Sequence, residues 1–180
     1  VLNASVKIED INVAKALEAF AEATSNRQQM LQGVGRRLLT RIREGFRSSS
    51  DPWGKAWAPP RLRRGQPLRD TGRLANSFVT DSTNDEVQVG TNVCYAVVHQ
   101  FGATITAGQP TGNNVCGYTP KGAPFLVFRT PSGFVRKKQV TIPRRAMLPI
   151  RENGQAELPE AWAADVVTEI QTHLEAVLRG

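Results

Sequence analysis

The strongest constraint on this chain is the way its longest helical pattern stops. Leu31, Val34, Leu38, Ile42 and Phe46 recur at intervals of three and four residues, which is the period of one helix face. The stretch SSSDPWGKAWAPPRLRRGQP, from Ser48 to Pro67, then brings four prolines and two glycines. Neither a helix nor an inner strand can run through it. An amphipathic helix must cover its apolar face with something, so the cover has to come from beyond this break or from before the helix. Within the helix, Ser25 and Gln28 have capping-box spacing. Arg36, Arg43 and Arg47 fall on the face opposite the stripe. Gly35 and Gly45 sit near the apolar side, where another backbone could come close.

The segments around it are extended or helical in alternation with turns. VKIED near the N-terminus reads as a short strand. Asn12 then caps a helix with Val13, Ala16, Leu17, Phe20 and Ala21 on one face. Asp51-Pro52-Trp53-Gly54 fits a β-turn. Asp70 or Thr71 can cap a short turn through Asn76. Phe78–Thr80 and Val87–Val89 pair across STND as a hairpin, and APFLVF with GFVRKKQVTI pair across RTPSG as another. YAVVHQFG, residues 95–102, has helical spacing and a glycine to stop it. ATIT starts a further extended piece, and AGQPTGNNVCGYTPKG is a polar connection. A last helix runs from about Pro159 to Leu178 with Ala163, Val166, Val167, Ile170, Leu174 and Val177 as its apolar face. Strands and helices do not alternate as βαβ units. The order predicts an α+β fold: an antiparallel or mixed sheet built from hairpins, with helices packed on one face. Residues 1–150 form the main domain, with a loop arm at 48–69 and a hairpin at 123–141. Residues 151–180 add a helix of the same domain or an interface.

Charge is unevenly placed. The net charge is +7. Residues 27–73 hold twelve Lys/Arg against three acids, and residues 121–151 hold eight against none, whereas 1–26, 74–120 and 152–180 are acidic. Alternating blocks suit a protein whose copies meet unlike face to unlike face. They also suit nucleic-acid binding. Trp53, Trp57, Arg61, Arg63, Arg64 and Arg69 in the loop, Arg136, Lys137 and Lys138 in the hairpin, and Arg144 are the candidate interface residues, because Trp with Arg dominates binding hot spots. The alternative is that Trp53 and Trp57 fold back onto the domain.

Catalytic signatures are missing. There is no GxSxG, P-loop, HExxH or carboxylate pair. Cys94 and Cys116 form no CxxC, and with His99 and His173 as the two histidines a zinc site lacks ligands. The cysteines read as two free, buried thiols. Cys94 and His99 are five positions apart, on different sides of a helix. His99 reads as a corner residue whose imidazole is tied to a backbone carbonyl. No enzyme activity, cofactor, metal or small-molecule substrate is expected. No apolar run reaches a membrane span and no signal peptide is visible. The start at Val1 suggests trimming of a chain made in the cytoplasm.

DPWGKAW, LRDTGRLANSF, VQVGTNVCYAVVHQFG and IPRRAML, in this order, resemble the phage virion morphogenesis family, tail-completion or neck proteins of tailed bacteriophages with members like protein G of phage Mu. The resemblance covers roughly residues 5–150. Its pattern is a long helix ending in an aromatic residue, then DP-x-G-x-x-W, DTG-x-L, VGTN, YA-x-x-HQFG and IPAR-Pro-Phe-Leu. Arg144, Ala146 and Met147 depart from it, standing where the family has Ala, Pro and Phe. The resemblance implies structural roles for Asp70, Thr71, Gly72, Leu74, Tyr95, His99, Gln100, Phe101, Gly102, Ile142, Pro143 and Arg145. Tyr95 and Phe101 would anchor a corner in the core, while His99 and Gln100 satisfy backbone groups. It implies assembly without catalysis. The chain would be a tail-completion or terminator subunit of a hexameric ring at the head–tail junction of the virion, assembled in the host cytoplasm. Its partners would be its own copies, the tail tube protein and head–neck connector proteins, with genomic DNA passing through the ring. The competing reading is a nucleic-acid-binding module that uses the Arg-rich loop and the basic hairpin.

Overall fold

The computed structural model describes residues 27–61, 63–108, 122–130 and 133–179. The expected strand VKIED, the helix at 13–21, Ser25, Cys116 and most of the polar connection lie outside these residues.

The apolar stripe forms helix α1, Gln28–Ser48. Its start departs from the capping-box expectation. Arg27 precedes it with no side-chain cap, and the Gln28 side chain donates to the Ser82 carbonyl at 3.2 Å. Asn84 Oδ1 accepts the Gln28 N–H at 3.1 Å, so the turn of a distant hairpin satisfies a donor that every helix start leaves over. The helix ends at Ser49, in the left-handed region at φ 58°. Ser50 N–H then donates to the Gly45 carbonyl at 3.0 Å, closing the last turn.

That distant hairpin is β1, Phe78–Ser82, with β2, Val87–Thr91, antiparallel and in the register Thr80 opposite Val89. It lies on α1. Gly35 is where the two meet, since a Cβ there would run into the Thr80 hydroxyl. Helix α2, Ala96–Phe101, and β3, Ala103–Thr106, follow. The second hairpin is β4, Leu126–Thr130, with β5, Gly133–Lys137. The expected long strand GFVRKKQVTI breaks at Lys138. Its second half is β6, Gln139–Ile142, which pairs with β3, Ala103 opposite Ile142. Ala107 N–H donates to the Lys138 carbonyl at 2.8 Å, which fixes the change of partner. Apolar and basic residues mix on one side of the first half, so it has no face to bury. Among the described residues the sheets are three antiparallel pairs, an α+β arrangement.

Helix α3, Glu160–Arg179, packs on α1. Trp162 is buried in the core, a residue absent from the predicted apolar face, whereas Val167 is exposed. The helix is turned so that Asp165 and Glu169 meet α1. Arg41 Nε lies 2.5 Å from Asp165 Oδ2, and Arg37 lies 3.8 Å from Glu169. Much of the acidic C-terminal block therefore neutralises basic residues of its own chain.

The core is one cluster: Ile42, Phe46, Trp57, Leu74, Phe78, Val93, Ala96, Met147 and Trp162. Phe46 is the most enclosed large side chain. It meets Trp57 edge-on at 5.3 Å and Phe78 at 5.8 Å, within the range of favourable aromatic pairs. Cys94 corrects the free-thiol reading. It is disulfide-bonded and exposed, because it follows the inward Val93 at the turn into α2. Its partner is outside the described residues.

Candidate functional site

Three stretches far apart in sequence close on one another: 55–60, 95–102 and 142–150. Gln100 is their clamp. It is 4 % exposed. Its Oε1 accepts the N–H groups of Met147 at 2.8 Å and Leu148 at 3.0 Å, and its Nε2 donates to the Leu148 carbonyl at 3.0 Å. Arg145 N–H donates to the His99 carbonyl at 2.6 Å. The Trp57 indole N–H donates to the Ala146 carbonyl at 3.0 Å. The Arg145 guanidinium donates to the carbonyls of Ala58 at 2.8 Å and Pro59 at 3.3 Å. Gly102 makes the approach possible. Its φ is +76°, and a Cβ would lie 3.0 Å from Arg144 N and 3.1 Å from the Ile142 carbonyl oxygen.

The loop arm is folded where it meets this knot. Asp51 N–H donates to the Lys55 carbonyl, Gly54 N–H to Asp51 and Trp57 N–H to Ser49, at 2.8, 2.9 and 2.8 Å. The same layout recurs after the last motif. Arg151 N–H donates to Gln155, Gly154 N–H to Arg151 and Glu157 N–H to Pro149, at 2.8, 3.0 and 2.9 Å. The two matching turns touch: the Arg151 guanidinium carbon lies 4.4 Å from the centre of the Trp53 ring, a cation–π geometry.

Several predicted site residues are therefore placed differently. Trp57 is 7 % exposed and belongs to the core, not to an interface, because its ring packs edge-on with Phe46 and the Ala146 carbonyl accepts its N–H. Trp53 is half-buried against Arg151. Arg144 is engaged inside, donating to the Ile150 carbonyl at 2.8 Å and lying 3.6 Å from Glu152. Phe101 is 42 % exposed and anchors nothing, because Gln100 takes the inward position of α2. Leu74 is buried, and Thr71 Oγ1 accepts the Arg73 N–H at 3.3 Å in the turn after Asp70. Arg61, Arg64, Arg69, Arg136, Lys137 and Lys138 are exposed, and Arg63 is half-buried.

A cavity of about 690 Å³ opens beside the knot. Leu68, Leu74, Tyr95, Phe128, Ile142 and Pro143 give it an apolar lining. Arg61, Arg63, Arg73, Lys137 and Arg145 also line it, against Asp70 as the one acid. Among the described residues none of these cations takes part in an ion pair. Arg145 feels this crowding: its pKa is lowered by burial and then by Arg63 and Arg61.

His99 lines the same cavity and does not do what the sequence suggested. Its Nδ1 is buried and has no hydrogen-bond partner, and its ring meets Tyr95 edge-on at 6.1 Å. Burial, then the charge of Arg145, pushes its pKa below the ordinary 6.5. A histidine with a depressed folded pKa takes up its proton more readily in the unfolded chain, so its contribution to stability is lost as pH falls through 6.5 towards the folded value. His99→Leu removes an unpaired polar atom, which is nearly neutral or stabilising. The variant is expected to melt no lower than the parent at pH 8 and to decline less between pH 7 and pH 5. Melting curves across that range check it, and a lower melting point at pH 8 would show a bond to the imidazole.

Three of the motifs, DPWGKAW, YAVVHQFG and IPRRAML, thus meet in one structural knot. The model of the phage virion morphogenesis family matches residues 8–166. The chain belongs to the phage virion morphogenesis family. Among curated proteins it is similar to the Mu-like prophage FluMu G protein 2 of Haemophilus influenzae, with 33 % identity over 97 residues, 54 % of this chain and 68 % of that protein. No solved structure matches the chain. Membership in the phage virion morphogenesis family makes this a virion-associated morphogenesis protein. Gln100 satisfies backbone groups, as the resemblance implied. Trp162 is the core residue that sequence reasoning missed, and it gave no signal beyond its type.

Proposed function

We propose that this protein is a tail-completion or terminator subunit of a ring at the head–tail junction, acting by assembly and not by catalysis. Its partners on this reading are its own copies in a sixfold ring, the tail tube protein and head–neck connector proteins, with DNA passing through. The observation that carries the reading, beside the family, is the cationic surface around the cavity, where Arg61, Arg63, Arg73, Lys137 and Arg145 face Asp70 as the one acid and none is in an ion pair among the described residues. A surface of that kind suits attachment to another component. Virions purified to homogeneity are expected to contain about six copies each, located by labelled antibody at the neck. A single copy per virion, or label at the distal tail end, rejects the ring. The same cations favour nucleic-acid binding as the second reading. It requires duplex DNA affinity that falls steeply with salt, since phosphate contacts release counterions.

A further inference from the structure

The cavity has a wall of backbone. Gln139, Val140, Thr141, Ile142 and Pro143 all line it in succession. Successive strand residues point to opposite faces, so the four of β6 can all line one cavity only if the strand presents its edge. Among the described residues β6 is hydrogen-bonded on one side, to β3, and β3 contributes nothing to the lining. The edge in the cavity is therefore the unpaired one, a row of backbone donors and acceptors ready for another strand.

We propose that this cavity is a docking slot for an extended, acidic segment of a second protein, which adds to the free edge of β6 as a third strand. Its apolar side chains enter the space lined by Leu68, Leu74, Tyr95 and Phe128, and its carboxylates lie among Arg61, Arg63 and Lys137. Strand addition supplies affinity through main-chain bonds, and the pockets for alternate side chains supply specificity. Charge complementarity selects an acidic occupant, and the acidic C-terminal block of a second copy is not free to supply it. Within 152–180, Glu152, Glu157, Asp165, Glu169 and Glu175 are already paired with arginines of their own chain, which leaves Glu160 alone. The slot needs only an acidic partner protein and not ring closure, so it stands or falls separately from the sixfold ring.

The test is fluorescence anisotropy with the full chain and a fluorescein-labelled peptide of alternating glutamate and valine. Binding is expected, weakened by salt. The double variant Arg61→Ser/Arg63→Ser and, separately, Lys137→Glu are expected to weaken it about tenfold or more, as loss of close charge pairs does. Both changes are at the cavity mouth, and an unchanged melting curve confirms the fold. Methylating alternate backbone amides of the peptide should abolish binding, and hydrogen exchange at Gln139–Ile142 should slow when the unmodified peptide is bound. No binding, equal binding of the methylated peptide, or insensitivity to all three cations overturns the proposal. So does an oligothymidylate of matching charge that binds as tightly and competes with the peptide, since the surface would then read phosphate and not a strand.

Discussion

Gln100→Leu is expected to lower the melting temperature by about 10 °C, because two backbone donors lose their partner and each buried unpaired group costs about 1–3 kcal/mol. Those groups are the Met147 and Leu148 N–H, while the Leu148 carbonyl loses one donor and keeps the Ile150 N–H at 2.7 Å. Leucine fills the space but offers no donor or acceptor, so the loss is polar and not volumetric. The contrast is the next residue. Phe101→Ala removes a larger side chain from a half-solvated position and is expected to stay within about 0.5 kcal/mol. Differential scanning fluorimetry gives the ranking. Amide exchange at Met147 and Leu148 gives the cause, since both should exchange faster in Gln100→Leu and not in Phe101→Ala. A Gln100→Leu protein that melts with the parent would mean that the chain at 144–148 is held elsewhere.

This pair of neighbours shows what the sequence could and could not disclose. Periodicity located α1, the β1–β2 hairpin, α2 and the helix after Pro159, because each buries a face with a regular repeat. The family resemblance implied a core place for Phe101 and backbone bonding for Gln100; the second holds and the first does not, because Gln100 itself takes the inward position. The outcome turned on the bonding needs of a distant strand-like segment that no local pattern reveals. The same limit explains β6. Nothing between Gly133 and Ile142 announces a change of partner, which is decided by the arrival of β3. The charge blocks were visible, but their use was not. Arg41 with Asp165 and Arg37 with Glu169 join two blocks inside the chain, whereas Arg61, Arg63 and Lys137 are in no ion pair among the described residues, and only packing separates the two cases.

The two tryptophans of DPWGKAW are expected to differ as sharply as Gln100 and Phe101 do. Trp57→Ala opens a cavity beside Phe46 and removes the bond to the Ala146 carbonyl, for a loss of about 3–5 kcal/mol. In a domain held by about 5–15 kcal/mol that leaves little margin, and the urea midpoint should fall by a third or more, with aggregation during expression as the visible symptom. Trp57→Phe restores most of the ring contact but strands the carbonyl, at about 1–3 kcal/mol. Trp53→Ala loses the stack with Arg151, about 0.5–1 kcal/mol at such a site, and its indole N–H has no partner to lose. Urea unfolding of the three variants should therefore order them Trp53→Ala, Trp57→Phe, Trp57→Ala from mildest to most severe. Because Trp53 and Trp57 share one turn, a general weakening of that loop would lower all three alike. Equal midpoints would thus assign the stabilising role to the turn's backbone bonds and not to the ring that Phe46 and Ala146 enclose.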